Sequence, residues 1–361
     1  MKHIASPGSG LSLLGQKTHR PDGRSKRREI WPVPPVPFSR DNRIDERALD
    51  ELVEFYVRAG VDGLFILAYS GEVFELNTEE QLLVCRRVIE RAAGRLRIVA
   101  AGNFGGNLPH QIEQLNRIAD VGPAAVVVLL STLPDESRLM DDLISIAGQV
   151  SAPLGVYECP VPSHRLLSPA DVGVLADTGR YVFMKETSRD RNVFLAKLAA
   201  AEGSPLTLYQ ANWGQLAKTI DDGCPGFCGI VANVFPELAD AFCNSDSLTT
   251  VGRQALHEIL GDALTCMTQR HYPATMKYVL QRQGLKIGTT SRMPGGQDVD
   301  ADDIRRLDDA LEVLGLLRAP DVLIGALSKT DDGGSSTLRG PHRPAEWAPR
   351  ELTVVNPSDI D

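Results

Sequence analysis

Eight short β-rich runs alternate with helical patterns, and this alternation leaves the chain few folds. The runs are Ile30–Phe38, Gly63–Tyr69, Leu96–Gly102, Ala124–Leu130, Pro153–Cys159, Tyr181–Glu186, Leu206–Asn212 and Phe227–Ala232. Each gap carries a helical pattern. In Asp45–Ala59 apolar residues recur at 49, 52, 55 and 56, the spacing of one helix face. Thr78–Ala93 opens on Thr78, Glu79 and Glu80, which suits a capped N-terminus. The other gaps hold patterns at 109–121, 136–150, 169–178, 192–201, 213–221 and 236–243. Ala124–Leu130 is apolar throughout, as strands are when a parallel sheet is covered on both faces. Eight βα units predict a (β/α)8 barrel, an α/β fold with its active site at the strand C-termini. The rival doubly wound sheet expects G-x-G-x-x-G after the first strand, and the chain has none there. Further helical patterns at 248–270, 272–285 and 302–317 exceed what one closing helix needs. The expected organisation is therefore a basic flexible tail at 1–28, the barrel at 29–246, a small helical extension at 247–327 and a flexible tail at 328–361.

Charge and composition remove several classes of partner. Of 361 residues, 43% are hydrophobic and 24% charged, which excludes wholesale disorder. The longest apolar run, 123–130, falls far short of the about 20 residues a membrane span needs. Residues 1–28 carry seven Lys/Arg against one Asp, so the net charge of −9 conceals a more acidic body. Such a body argues against nucleic acid as the main partner. The six cysteines sit mostly among apolar neighbours, as reduced thiols do, and predict a cytoplasmic protein. No metal is expected. Cys224 and Cys228 lack a second pair at zinc spacing, and the His residues form no H-E-x-x-H. Asp298–Asp303 resembles the start of a calcium loop, but lacks its sixth-position Gly. Acidic capping of the following helix is the expectation there.

The strand ends carry the chemistry. Run six reads Tyr181-Val182-Phe183-Met184-Lys185-Glu186; with a period of two, Lys185, Phe183 and Tyr181 are expected on one face. Burial lowers the pKa of a lysine ammonium and frees its amine, the requirement for a Schiff base with a carbonyl substrate. The competing reading is a lysine that snorkels to the rim or pairs with a carboxylate. Tyr157, at the same depth on the neighbouring run, offers a phenol for proton transfer, or simply a rim aromatic. After run two, Tyr69-Ser70-Gly71-Glu72 provides a hydroxyl and backbone amides suited to a carboxylate. Glycines flanking Cys228 let backbone approach a ligand closely.

Together these segments resemble the N-acetylneuraminate lyase and dihydrodipicolinate synthase family of class I, Schiff-base-forming aldolases. The resemblance spans about residues 30–317 and rests on V-P-F at 36–38, S-G-E at 70–72, Y-x-x-P at 157–160, K-E-T at 185–187, A-N-V at 232–234, Y-P-A-x-M-K at 272–277 and Ser291-Arg292-Met293-Pro294. It implies that Lys185 is the Schiff-base lysine and Tyr157 the proton donor and acceptor. Ser70, with Gly71 and Tyr69 beside it, would bind the 2-oxo acid carboxylate, and Cys228 would offer a main-chain contact. It also implies a homo-oligomer, tetramer or dimer, without metal or organic cofactor.

The chain departs from true dihydrodipicolinate synthases in several places. Tyr69 stands where their proton relay has threonine, Leu129-Leu130-Ser131 replaces P-Y-Y, and Glu158 follows Tyr157 where Asn is common. The arginine that follows Y-x-x-P in them has no counterpart at the same spacing; His164 and Arg165 come slightly later and are candidate distal substrate contacts. The expectation is a divergent lyase acting on pyruvate or a related 2-oxo acid, and on an aldehyde, by aldol cleavage, condensation or dehydration. The alternatives are 4-hydroxy-tetrahydrodipicolinate synthase proper, a non-catalytic barrel that binds a 2-oxo acid, and a carboxylate-based hydrolase or isomerase.

Overall fold

The computed structural model describes residues 27–294, 298–316 and 319–329. Most of the tails expected at 1–28 and 328–361 lies outside the described residues. The elements run β1 (Glu29–Ile30), α1 (Glu46–Ala59), β2 (Gly63–Ile66), α2 (Thr78–Ala92), β3 (Arg97–Ala101), α3 (Leu108–Ala119), β4 (Ala125–Leu129), α4 (Leu139–Gln149), β5 (Leu154–Tyr157), α5 (Pro169–Asp177), β6 (Tyr181–Glu186), α6 (Arg191–Ala200), β7 (Thr207–Gln210), α7 (Trp213–Thr219) and β8 (Gly226–Phe227). Helices α8 (Ile230–Val234), α9 (Pro236–Asn244), α10 (Thr250–Thr268), α11 (Ala274–Arg282), α12 (Ala301–Val313) and α13 (Pro320–Leu327) follow. The strands form one eight-stranded sheet in the order β1-β8-β7-β6-β5-β4-β3-β2, the expected (β/α)8 barrel. No helix of the described residues is long and apolar enough to cross a membrane. None of the six cysteines forms a disulfide, and all are buried.

Two expected strands are much shorter than their apolar runs. β1 stops at Ile30 because Pro32, Pro34, Pro35 and Pro37 have no N–H to give a ladder. The run expected to continue from Phe227 to Ala232 instead turns at the extended Gly229 and becomes α8. A short buried apolar segment has no periodicity that separates strand from helix. At 298–303 the acidic cluster caps α12, where Asp300 accepts from the Asp303 amide and Asp303 reciprocates.

The described residues divide into two compact units, Arg97–Gly226 and Arg28–Leu96 with those from Phe227 onward. In the first, β3 to β7 pair in parallel and bury their side chains almost completely. The register between β5 and β6 shifts once. Leu154 pairs with Tyr181, but Gly155 pairs with Phe183, so β6 carries one extra residue. That bulge corrects the expectation that Tyr181 shares a face with Phe183 and Lys185. The Tyr181 hydroxyl instead donates to the Leu143 carbonyl on α4 at 2.7 Å.

In the second unit, the proline-rich segment after β1 is held by isolated bonds in place of a ladder. The Val33 amide donates to the Asn233 side chain at 2.6 Å, the Phe65 amide to the Pro32 carbonyl and the Trp31 amide to the Phe227 carbonyl. Asn233, from the A-N-V motif, also accepts from the Tyr56 hydroxyl at its carbonyl.

Gly155 lies opposite the bulge, where a Cβ would crowd its surroundings, 3.0 Å from both the Phe183 carbonyl oxygen and Val127 Cγ2. Gly155→Ala is expected to lower stability by about 1–3 kcal/mol, the usual cost of overpacking. Urea unfolding measures it, and an unchanged midpoint would show that β6 gives way freely.

Candidate active site

Parallel pairing with β4, β5, β6 and β7 sets the chemistry of the first unit. Leu129 pairs with Tyr157, Tyr157 with Lys185, and Lys185 with Tyr209. Three adjacent strands thus present tyrosine, lysine and tyrosine on one rung. Lys185 is 6% exposed and Tyr157 4%, and the Lys185 ammonium lies 4.5 Å from the Tyr157 ring centroid. An ammonium over an aromatic face is stabilised by the ring quadrupole. Tyr209 packs its ring 4.9 Å from that of Phe183, two residues before Lys185. Nothing in the local sequence marks Tyr209 as a neighbour of Lys185. Only register brings it there.

Behind this rung lies a buried charge cluster. Glu158 and Glu186, one residue beyond Tyr157 and Lys185, both meet Lys197 of α6. Its Nζ lies 2.6 Å from Glu158 Oε1 and 3.0 Å from Glu186 Oε1, with all three side chains inaccessible. Glu158 also accepts from the Leu167 and Thr187 amides. Burial pushes the Glu158 carboxyl up from its ordinary range, against the pull of Lys197. The replacement of Asn by Glu at 158 therefore has a structural partner that no local pattern revealed.

Both candidate distal contacts are engaged by protein groups. His164 Nε2 lies 2.8 Å from the Thr187 hydroxyl, and burial, with help from Arg189 and Lys197, lowers its pKa. Arg165 donates to the Leu130 and Leu133 carbonyls at 3.3 and 2.6 Å. Burial pushes the Cys159 thiol up, which keeps it protonated and unfit as a nucleophile.

The second unit assembles four of the sequence motifs. Ser70 is 4% exposed on a short 3-10 turn, Tyr69–Gly71, and accepts a 2.6 Å hydrogen bond from Tyr272. Burial raises the Tyr272 phenol well above its ordinary pKa, so it remains a donor. Tyr69 is half-buried and Cys228 fully buried. Next to the turn, Glu72 forms a 2.5 Å ion pair with Lys277, both side chains inaccessible. Its second oxygen accepts from the Ser291 hydroxyl and the Arg292 amide. Lys277 and Arg292 flank the Phe38 ring, at 4.6 and 4.3 Å from its centroid. Phe38 belongs to V-P-F, Glu72 to S-G-E, Lys277 to Y-P-A-x-M-K and Arg292 to Ser291-Arg292-Met293-Pro294. The motifs scattered along the sequence thus serve one buried hub that holds the Ser70 turn.

His271, Asp300 and Asp303 place ligand-type atoms within 4.8 Å of one another, a grouping invisible to sequence spacing. Arg270 binds Asp300 and Arg306 binds Asp303, so arginines already neutralise these carboxylates; His271 Nδ1 lies 2.5 Å from Asp303.

The profile of the dihydrodipicolinate synthetase family matches residues 26–313, and the chain belongs to that family. It is 28% identical over 265 residues to a 4-hydroxy-tetrahydrodipicolinate synthase from Exiguobacterium sp., covering 72% of this chain and 88% of that protein. It is 27% identical over 257 residues to the enzyme of that name from Methylococcus capsulatus, covering 69% and 86%. Among solved structures, the prophage protein YagE from E. coli K12, a dihydrodipicolinic acid synthase family member in complex with pyruvate, aligns with a TM-score of 0.70 at 22% identity. That alignment covers 79% of this chain and 98% of YagE. The 4-hydroxy-tetrahydrodipicolinate synthase of Methylacidiphilum fumariolicum SolV aligns with a TM-score of 0.72 at 19% identity, covering 84% and 99%. At these identities the two structures speak to the fold alone.

Glu72→Gln strips the buried Lys277 ammonium of its counter-charge and turns an amide NH2 toward donors. It is expected to lower stability by about 3–5 kcal/mol, as breaking buried pairs does. Chemical denaturation checks this; a loss below about 1 kcal/mol, the scale of exposed pairs, would show that water reaches the pair.

Proposed function

We propose that the protein is a lyase of the class I aldolase type that forms a Schiff base between Lys185 and pyruvate or a related 2-oxo acid. The observation that carries this reading is the buried Lys185 on one rung with Tyr157, its ammonium 4.5 Å from the phenol ring. Family membership over residues 26–313 supports it. Both curated relatives named above are synthases of 4-hydroxy-tetrahydrodipicolinate.

In this reading the neutral Lys185 amine attacks the substrate ketone, and water leaves to give the imine. The imine then accepts the electron pair released when a C–C bond breaks or a proton leaves C3. Tyr157 moves the protons at the imine carbon and at the substrate hydroxyl. The Ser70–Gly71 turn, with Tyr69 beside it, binds the carboxylate, and Cys228 gives a main-chain contact. His164 and Arg165 meet the distal end of the second substrate, an aldehyde. The replacement of P-Y-Y by Leu129-Leu130-Ser131 and the presence of Tyr69 favour a second substrate other than that of dihydrodipicolinate synthases. No metal or organic cofactor enters these steps. The working form is a homo-oligomer, tetramer or dimer, in the cytoplasm.

Borohydride trapping with pyruvate, read by intact mass and peptide mapping, tests this. The expected result is one adduct on Lys185 that Lys185→Ala abolishes. Tyr157→Phe should still form the adduct while losing about 10²–10⁴-fold in turnover, the usual share of a general acid–base group. Absence of any adduct across a panel of 2-oxo acids, with the protein folded, would sink the aldolase reading. Saturable binding without an adduct would favour the oxo-acid-binding barrel.

A further inference from the structure

Buried ion clusters are expensive, and apolar side chains of similar size often stabilise a fold at least as well. The Glu158–Lys197–Glu186 cluster therefore calls for a reason beyond stability, and its location supplies one. Its two carboxylates belong to the residues directly after Tyr157 and Lys185. Because strand side chains alternate, they project from the face opposite the rung, toward Lys197 on α6. The cluster also continues the β5–β6 pairing past that rung. The Glu158 amide donates to the Lys185 carbonyl at 3.3 Å. The Thr187 amide donates to Glu158 Oε2 at 2.9 Å, and the Thr187 hydroxyl donates to the Glu158 carbonyl at 2.7 Å. Lys197 is what allows two carboxylates to share this space. Without it they must separate or take up a proton, since like charges in one site oppose each other's ionisation. Separation would open the ladder at the rung of Tyr157 and Lys185. Besides Lys197, the Ser188 amide donates to Glu186 Oε1 at 3.0 Å, while Oε2 is buried without a hydrogen-bond partner.

We propose that Lys197 is a positioning residue: by holding Glu158 and Glu186 together behind β5 and β6, it sets the spacing of Tyr157 and Lys185. This rests on the imine chemistry proposed above. A displacement of about 1 Å between reacting groups costs about 10²-fold in rate, so a cluster that touches no substrate still governs turnover.

The test compares wild type with the neutral triple variant Lys197→Met, Glu158→Gln, Glu186→Gln, and with Lys197→Arg, which keeps the charge but moves the donor nitrogens. Melting temperature, steady-state kinetics with a 2-oxo acid that wild type turns over, and the rate of borohydride-trapped adduct formation are measured on each. The expected result is a triple variant that folds, with kcat and adduct rate lowered about 10²-fold and KM within about threefold of wild type. A merely structural cluster would move the melting temperature without that kcat–KM split. A folded triple variant with kcat within about threefold of wild type overturns the proposal. If the triple variant does not fold, Lys197→Arg decides: kcat at least about tenfold lower supports positioning, and an unchanged kcat overturns it. A wild type that forms no adduct with any 2-oxo acid overturns the function reading itself. An adduct present and equally fast in all variants overturns the positioning role alone.

Discussion

Parallel strands carry residues of equal register side by side, so one hydrogen-bonded rung can bring together side chains that lie far apart in sequence. Tyr157 and Lys185 are 28 positions apart, yet the β5–β6 register sets them next to each other. That register is not a simple continuation of the strands. It depends on a bulge that pairs Leu154 with Tyr181 and Gly155 with Phe183. Slipping this register by one residue would turn Lys185 to the face opposite Tyr157. Gly155 is the residue whose missing Cβ permits it. The candidate chemistry therefore hangs on a backbone detail two residues below the tyrosine.

Among the described residues three lysines are buried, Lys185, Lys197 and Lys277. Lys197 meets two carboxylates and Lys277 one. For Lys277 burial lowers the pKa while Glu72 pulls it back up, the balance of a charge kept for structure. Lys185 lies with its ammonium 4.5 Å from the centroid of the Tyr157 ring, whose face attracts a cation.

Much of the site could be read from the chain in order. The alternation of apolar runs with amphipathic segments predicts the βα units, and a lysine closing an apolar strand is conspicuous because lysine seldom lies buried. Other parts were illegible for identifiable reasons. Tyr209 looks like any strand aromatic until register places it beside Lys185. Glu158 reads as a departure in the Y-x-x-P segment until Lys197, 39 residues later, supplies its counter-ion. Tyr181 was expected with Phe183 and Lys185 because strict alternation contains no bulge.

What the sequence determined by itself is the set of local elements, the family and the identity of the reactive candidates, since these follow from periodicity, composition and motif order. Tertiary structure alone decided how the scattered motifs are used. Phe38, Glu72, Lys277 and Arg292 come from four separate segments, yet they meet in one buried hub beneath the Ser70 turn. The physical reason is that a buried charge must find its partner wherever the fold provides one. Ion pairing and hydrogen bonding act through space, over a few ångströms, and leave no period along the chain.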